Sequence, residues 1–177
     1  MIARICGVFF SGVVFVFLGF AGSPAKANDA LIASYGPFLE TCYADAVSTP
    51  AQKACIVVMS TAFSAREEGG ETTLGIVTCL MAEATVWDGF LNTEYQAVRS
   101  RAKAADTDEA AYFPEFAKRA EALLAAQRAW ITFRDAECFR AYAEWGSGSM
   151  RNIASSDCQM QMTADRTIEL RQSLEEF

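Results

Sequence analysis

The sequence contains no histidine, and that absence removes much of ordinary enzyme chemistry. Ser–His and Cys–His nucleophiles cannot be assembled, and the commonest general base is missing. No CxxC spacing occurs either, so a structural zinc site lacks its usual ligand pattern, and no metal or cofactor is expected. A phosphate-cradling glycine loop and paired acids on one helix face are also wanting. The chain is therefore expected not to be an enzyme. Basic charge is scarce: 15 Lys and Arg stand against 22 Asp and Glu, a net charge of −7. Such a polyanion repels phosphate, which argues against nucleic acid, while a cationic protein would be drawn to it by long-range attraction.

What is present begins with an export signal. Arg4 precedes an almost wholly apolar run from Cys6 to Gly22, and Ala25-Lys26-Ala27 puts small residues at both positions a signal peptidase reads. The run is shorter than the roughly 20 residues a spanning helix needs. Residues 1–27 therefore read as a signal peptide cleaved near Ala27, leaving a periplasmic or secreted product that meets the membrane only through the cleaved signal. Cys6 precedes the apolar run, whereas a lipid-modified cysteine would follow it. Cleavage removes Arg4 and Lys26 and no acid, leaving 13 basic against 22 acidic side chains, a net charge of −9.

Five cysteines remain: Cys42, Cys55, Cys79, Cys138 and Cys158. In an oxidising compartment they read as a disulfide framework with one thiol left over. The mature sequence is Ala-rich, with little β-type alternation and well-separated turn signals, which predicts an all-α fold. Residues 28–74 form an N-terminal helical extension, broken at Gly36-Pro37 and at Ser48-Thr49-Pro50 and closed by Glu68-Gly69-Gly70. Residues 75–177 form the main helical domain. Thr72 or Thr73 caps a long helix to about Ala104, and Asp106-Thr107-Asp108 makes a polar loop. A second long helix runs from Phe113 to Tyr142, and a last one from Asn152 to Leu174.

If the two long helices fold back on each other about that loop, Cys79 faces Cys138, Glu83 faces Arg134 and Trp87 faces Trp130. The members of each set lie four apart, on one helix face. A disulfide-stapled helical bundle built on a long antiparallel helical hairpin is the expected architecture, with Glu83 and Arg134 as a structural ion pair. The same reasoning about Thr49 sets Cys42 against Cys55, and Cys158 is then the unpaired thiol.

Four blocks carry a resemblance: Cys79-x3-Glu83; Asp88-x2-Leu91-Asn92-x2-Tyr95; Gln127-Arg128-Ala129-Trp130 running into Phe133-Arg134-Asp135-Ala136-Glu137-Cys138; and Cys158-x3-Met162-Thr163-x2-Arg166-x3-Leu170. Over about residues 75–172 they resemble the LprI-like lysozyme-inhibitor family, whose members are exported helical proteins with paired cysteines. The resemblance implies a periplasmic protein that binds and blocks a muramidase. The chain departs from the family in lacking a lipid-anchoring cysteine and in carrying residues 28–74. The family pattern also sets a cysteine upstream of the one matching Cys79, for which Cys55 is the nearest candidate, so the partners of Cys55 and Cys158 stay open.

The candidate partner-binding loop is Gly146, Ser147, Gly148 and Ser149 with Arg151: a narrow Gly/Ser loop can enter a sugar-binding cleft, and an arginine can pair with carboxylates there. A cationic lysozyme or another envelope protein is the expected partner. The alternative is a non-enzymatic cell-envelope interaction module that inhibits nothing, using an apolar patch of Phe38, Val57, Val58 and Phe63. The oligomeric state is not fixed by the sequence.

Overall fold

The computed structural model describes residues 24–175, and the apolar run read as an export signal lies outside them. The chain is all-helical across the described residues: α1 (Pro24–Asp45), α2 (Thr49–Ala54), α3 (Val58–Arg66), α4 (Thr73–Ala110), a 3-10 turn (Pro114–Phe116), α5 (Arg119–Glu144) and α6 (Met150–Glu175).

Local chemistry sets most of these boundaries. Ser48 caps α2 by accepting the Ala51 N–H at 3.4 Å, with Pro50 in the first turn where its missing N–H does no harm. Thr72 caps α4 by accepting the Gly75 N–H at 3.1 Å while its own hydroxyl donates to the Gly69 carbonyl at 2.6 Å. Any Cβ at Gly75 would sit 2.3 Å from the Gly69 carbonyl oxygen, so the crossing of loop and helix at that point requires glycine. Three helix limits differ from expectation, the first being that α5 begins at Arg119 and not at Phe113, with Pro114 opening a separate 3-10 turn. α1 runs through Gly36-Pro37 without a break, with Pro37 on its exposed side, where one lost backbone bond does not end the helix. α4 continues through Asp106-Thr107-Asp108 to Ala110.

α4 is long and apolar enough to cross a membrane by length and composition, and in the structure it is the shaft on which the others pack. α1 lays Leu31, Tyr35, Leu39 and Tyr43 against it at helical spacing, and Ala46 follows them into the core just past the helix end. Trp87, fully buried, meets the Tyr43 ring edge-on at 5.1 Å and Phe90 at 5.6 Å. The most extensive partner of α4 is α6, not α5. α6 brings Met160, Ala164 and Ile168 into the same core, and the Thr167 hydroxyl donates to the Trp87 carbonyl at 3.3 Å. Asn152 shares a groove with Thr73 and Leu74, and Arg101 reaches the Leu174 carbonyl at 2.9 Å, so α4 and α6 run side by side in the same direction.

α5 is the least buried of the long helices; Gln127 and Cys138 are its buried residues. Ile131 is exposed on it, as is Phe116 in the preceding 3-10 turn, and Leu123, Leu124 and Trp130 are half-buried. Near the turn, Asp106 accepts the N–H groups of Arg119 and Ala120, both at 2.9 Å, and so caps α5 from the end of α4. Those bonds hold the Asp106 carboxyl below the ordinary aspartate range, the Ala120 N–H contributing most. Further along, Asp88 and Leu91 share a cleft with Ile131 and Arg134.

Candidate functional site

Two of the expected cysteine assignments are corrected by the structure. Cys42 is bonded to Cys55, with Cα atoms 5.7 Å apart, tying α1 to the end of α2. Cys138, however, is bonded to Cys158, at a Cα separation of 5.4 Å, so Cys79 does not pair with Cys138 and Cys158 is not a free thiol. The reason is register. Because α4 extends to Ala110, the turn into α5 falls later in the chain than expected, and Arg134 shares a cleft with Asp88, Leu91 and Asn92 and not with Glu83. α6 then brings Cys158 to Cys138, and the Met162 sulfur packs 3.8 and 3.7 Å from the two bridge sulfurs.

Among the described residues Cys79 is the free cysteine, buried between α4 and α3, its thiol donating to the Ile76 carbonyl at 3.2 Å. Burial pushes that thiol up, so it stays protonated and unreactive at neutral pH.

The expected Glu83–Arg134 ion pair is corrected as well. Glu83 is completely buried and turns toward α3. Its Oε1 accepts the Val57 N–H at 2.7 Å, and its Oε2 accepts both the Ser60 N–H at 2.8 Å and the Ser60 hydroxyl at 2.7 Å. The Trp87 indole adds a longer bond at 3.4 Å. Val57 is the N-cap of α3 and offers no side-chain oxygen. Glu83 therefore supplies from another helix what a capping residue would supply locally, and its negative charge sits at the positive end of the α3 dipole. Val57 itself holds φ +68°, strained for a β-branched residue and fastened there by the carboxylate. Sequence reasoning singled out Glu83 but missed Val57 and Ser60, although a serine three residues into a helix that lacks a polar cap was a readable sign of an unmet terminus.

Arg134 instead bonds Asp135 at 2.8 Å and the Thr163 hydroxyl at 3.4 Å, with its guanidinium 5.2 Å from the Trp130 ring centre. Trp87 and Trp130 are likewise apart in role, Trp87 in the core and Trp130 beneath Arg134 and Arg166. The remaining matched residues bond in two separate groups, one within α4 and one between α5 and α6. Asn92 donates to the Asp88 carboxylate at 3.1 Å, and the Arg166 Nε donates to the Gln127 Oε1 at 3.1 Å while pairing with Glu169 at 2.8 Å.

Burial pushes the Glu83 carboxyl above its ordinary value of 4.5, and the bonds from Ser60, Trp87 and Val57 pull it part of the way back. A carboxyl that holds its proton more tightly folded than unfolded contributes more to stability as pH falls through the window just above its ordinary value. Urea unfolding of the wild type and of Glu83→Gln from about pH 7 to about pH 4 is expected to move the difference in favour of the wild type on acidification. A difference that moves the other way would mean that the folded carboxyl is held below its unfolded value.

The candidate partner loop is a compact knuckle. Gly146 adopts φ +51°, a left-handed conformation that ends α5, and the Gly148 N–H bonds the Trp145 carbonyl at 2.9 Å. Gly146, Ser147, Gly148 and Ser149 are all exposed. Arg151 folds back onto this loop: it donates to the Gly146 carbonyl at 3.3 Å and lies 5.4 Å from the Tyr142 ring centre. Beside the knuckle, a groove of about 470 Å³ opens between the first turns of α4 and α6, lined by Leu74, Val77, Met81 and Tyr142 among others. Leu74 is 76% exposed and Met81 54%, an unusual display for residues of the core helix.

Residues 64–170 match the family described as Lysozyme inhibitor LprI. The chain belongs to the LprI family. LprI proteins are in general extracytoplasmic and non-catalytic. The chain is also similar to an uncharacterised protein of Rhizobium meliloti (strain 1021), with 38% identity over 88 residues. That stretch is 50% of this chain and 63% of the relative, so the likeness spans less than two thirds of the Rhizobium protein. No solved structure matches.

Proposed function

We propose that this LprI protein is an exported inhibitor that blocks a cationic muramidase by docking the loop end of its bundle. The observation that carries the reading is the pairing of a rigid, exposed Gly146–Ser149 knuckle with an open apolar groove at Leu74 and Met81, in a chain of the lysozyme-inhibitor family. The knuckle is already ordered by its own backbone bonds, so little loop entropy is lost on binding. The groove offers the desolvated anchor point that dominates interface energetics, and the net charge of −9 left after cleavage attracts a cationic partner to the protein as a whole. Arg151 serves mainly to brace the knuckle through Gly146 and Tyr142.

The purified mature chain is expected to inhibit at least one of a panel of cationic lysozymes at micromolar concentration. Leu74→Asp with Met81→Asp, both at exposed positions, is expected to weaken inhibition at least about tenfold while leaving helicity unchanged. No inhibition of any lysozyme at about ten micromolar would remove the reading.

The alternative of a non-inhibitory envelope module is favoured by the outer face of α5, where Phe133 is 60% and Phe139 69% exposed. In the N-terminal patch first read for that role, Phe63 packs edge-on against Tyr35 at 5.5 Å and Arg66 lies over Phe38 at 4.5 Å, while Phe38 and Val57 stay exposed. Recovery from periplasm of an assembly protein, with no muramidase, would favour the module.

A further inference from the structure

We propose that the cleft between α4 and α5 is a binding site for a single neutral, hydroxyl-rich ring of the hexose or hexosamine class. It is a site of its own, distinct from the loop end, and the inference goes beyond muramidase blocking and stands or falls without it.

The cleft encloses about 240 Å³, below the roughly 300–1,000 Å³ of sites that hold drug-sized ligands, which limits the occupant to one ring. Its lining is part apolar, from Leu91, Leu124 and Ile131, and part polar, mixing donors with acceptors. Tyr95 lines the cleft with a buried hydroxyl that has no hydrogen-bond partner. A buried hydroxyl left unpaired costs about 1–3 kcal/mol, which a ligand hydroxyl reaching it would recover. Asn92 spends its amide N–H on Asp88, leaving its carbonyl oxygen to accept. Arg128 stands exposed at the rim as a donor.

Charge argues for a neutral occupant. Arg134 is already bonded to Asp135 and Thr163, and the Asp88 carboxylate is part of the same lining, where it would repel an anionic ligand. Trp130 is held under Arg134 and Arg166, so it contributes a wall and not a free stacking surface. A ring with one apolar face and a rim of hydroxyls that both donate and accept matches this lining. An apolar ligand would leave Tyr95 unpaired, and a carboxylate would meet Asp88.

The test is titration of the isotope-labelled protein with N-acetyl-D-glucosamine and with D-glucose, followed by amide shifts, with sodium acetate as the anionic probe. Saturable shifts with either sugar, centred on Asn92, Tyr95 and Arg128, are expected. Tyr95→Phe is expected to bind at least about fivefold more weakly while unfolding at the same urea concentration or higher, because the hydroxyl it removes satisfies nothing in the free protein. Arg128→Ala, at the exposed rim, is expected to weaken binding without touching stability. No saturation by either sugar, equal shifts with acetate, or unchanged binding by Tyr95→Phe would each overturn the assignment. Lysozyme inhibition is read in a separate assay, so failure of one claim leaves the other intact.

Discussion

Glu83→Ala is expected to lower the unfolding free energy by about 4 kcal/mol, measured by urea unfolding followed by helical circular dichroism. Two effects add. The Ser60 N–H and hydroxyl lose their acceptor inside the core and the Val57 N–H loses its own, leaving the first turn of α3 uncapped. The vacated volume then lies directly beneath Trp87, itself without solvent exposure. Arg134→Ala distinguishes this arrangement from an ion pair with Glu83. Its guanidinium bonds Asp135 and Thr163, so its loss is expected to cost no more than about 1–2 kcal/mol. Equal losses from the two substitutions would restore the ion pair and refute the capping role.

Much of the fold was legible because local signals agree with it. The cap at Thr72, the proline after Ser48 and the glycines at 69 and 70 all mark real boundaries. Fold class followed from composition, and the family from four blocks of residues that fall within the matched span. The register of α4 against α5 was not legible, for a physical reason. Asp-Thr-Asp is a loop signal because Asp and Thr compete for backbone bonds, yet here Asp106 uses its carboxylate on the next helix and leaves its own backbone helical. These two long-range capping bonds go with a longer α4, which moves the turn and with it the residues that meet across the two helices. The loop residues at 146–149 were also placed correctly in the chain, but nothing local could show that Arg151 turns back onto them.

The choice of α6 as the main partner of α4 was hidden in a different way. α6 buries hydroxyls together with its apolar side chains: Ser156, Thr163 and Thr167 all lie inside. These are small side chains, and the two threonine hydroxyls bond back to backbone, Thr167 to Trp87 of α4 and Thr163 to Gln159 of its own helix at 2.6 Å. Close packing needs such residues, but an apolar stripe read from sequence counts them as polar. α5 shows the converse, with Phe133 and Phe139 facing solvent where a pattern of large apolar residues suggests burial.

Cys158→Ser is expected to lower stability by about 3 kcal/mol, while Cys79→Ala leaves both crosslinks in place and is expected to cost about 1 kcal/mol or less. The bridge from Cys138 to Cys158 closes a sequence separation of 20 residues, and losing it frees the unfolded chain by an entropy that the model of loop closure puts near that value. It also lets α6 leave α5 at the end of the bundle that carries the Gly146–Ser149 knuckle, so inhibition is expected to fall with stability. The two single variants decide the pairing between them. If Cys79 were bonded to Cys138, Cys158→Ser would be nearly silent and Cys79→Ala would open the crosslink. Alkylation of the oxidised mature chain gives the same answer chemically: Cys79 is expected to resist in the folded state, because it is buried and protonated, and to react on unfolding without reductant. A peptide joining Cys79 to Cys138 would overturn the register on which the loop end, the groove and the α4–α5 cleft all depend.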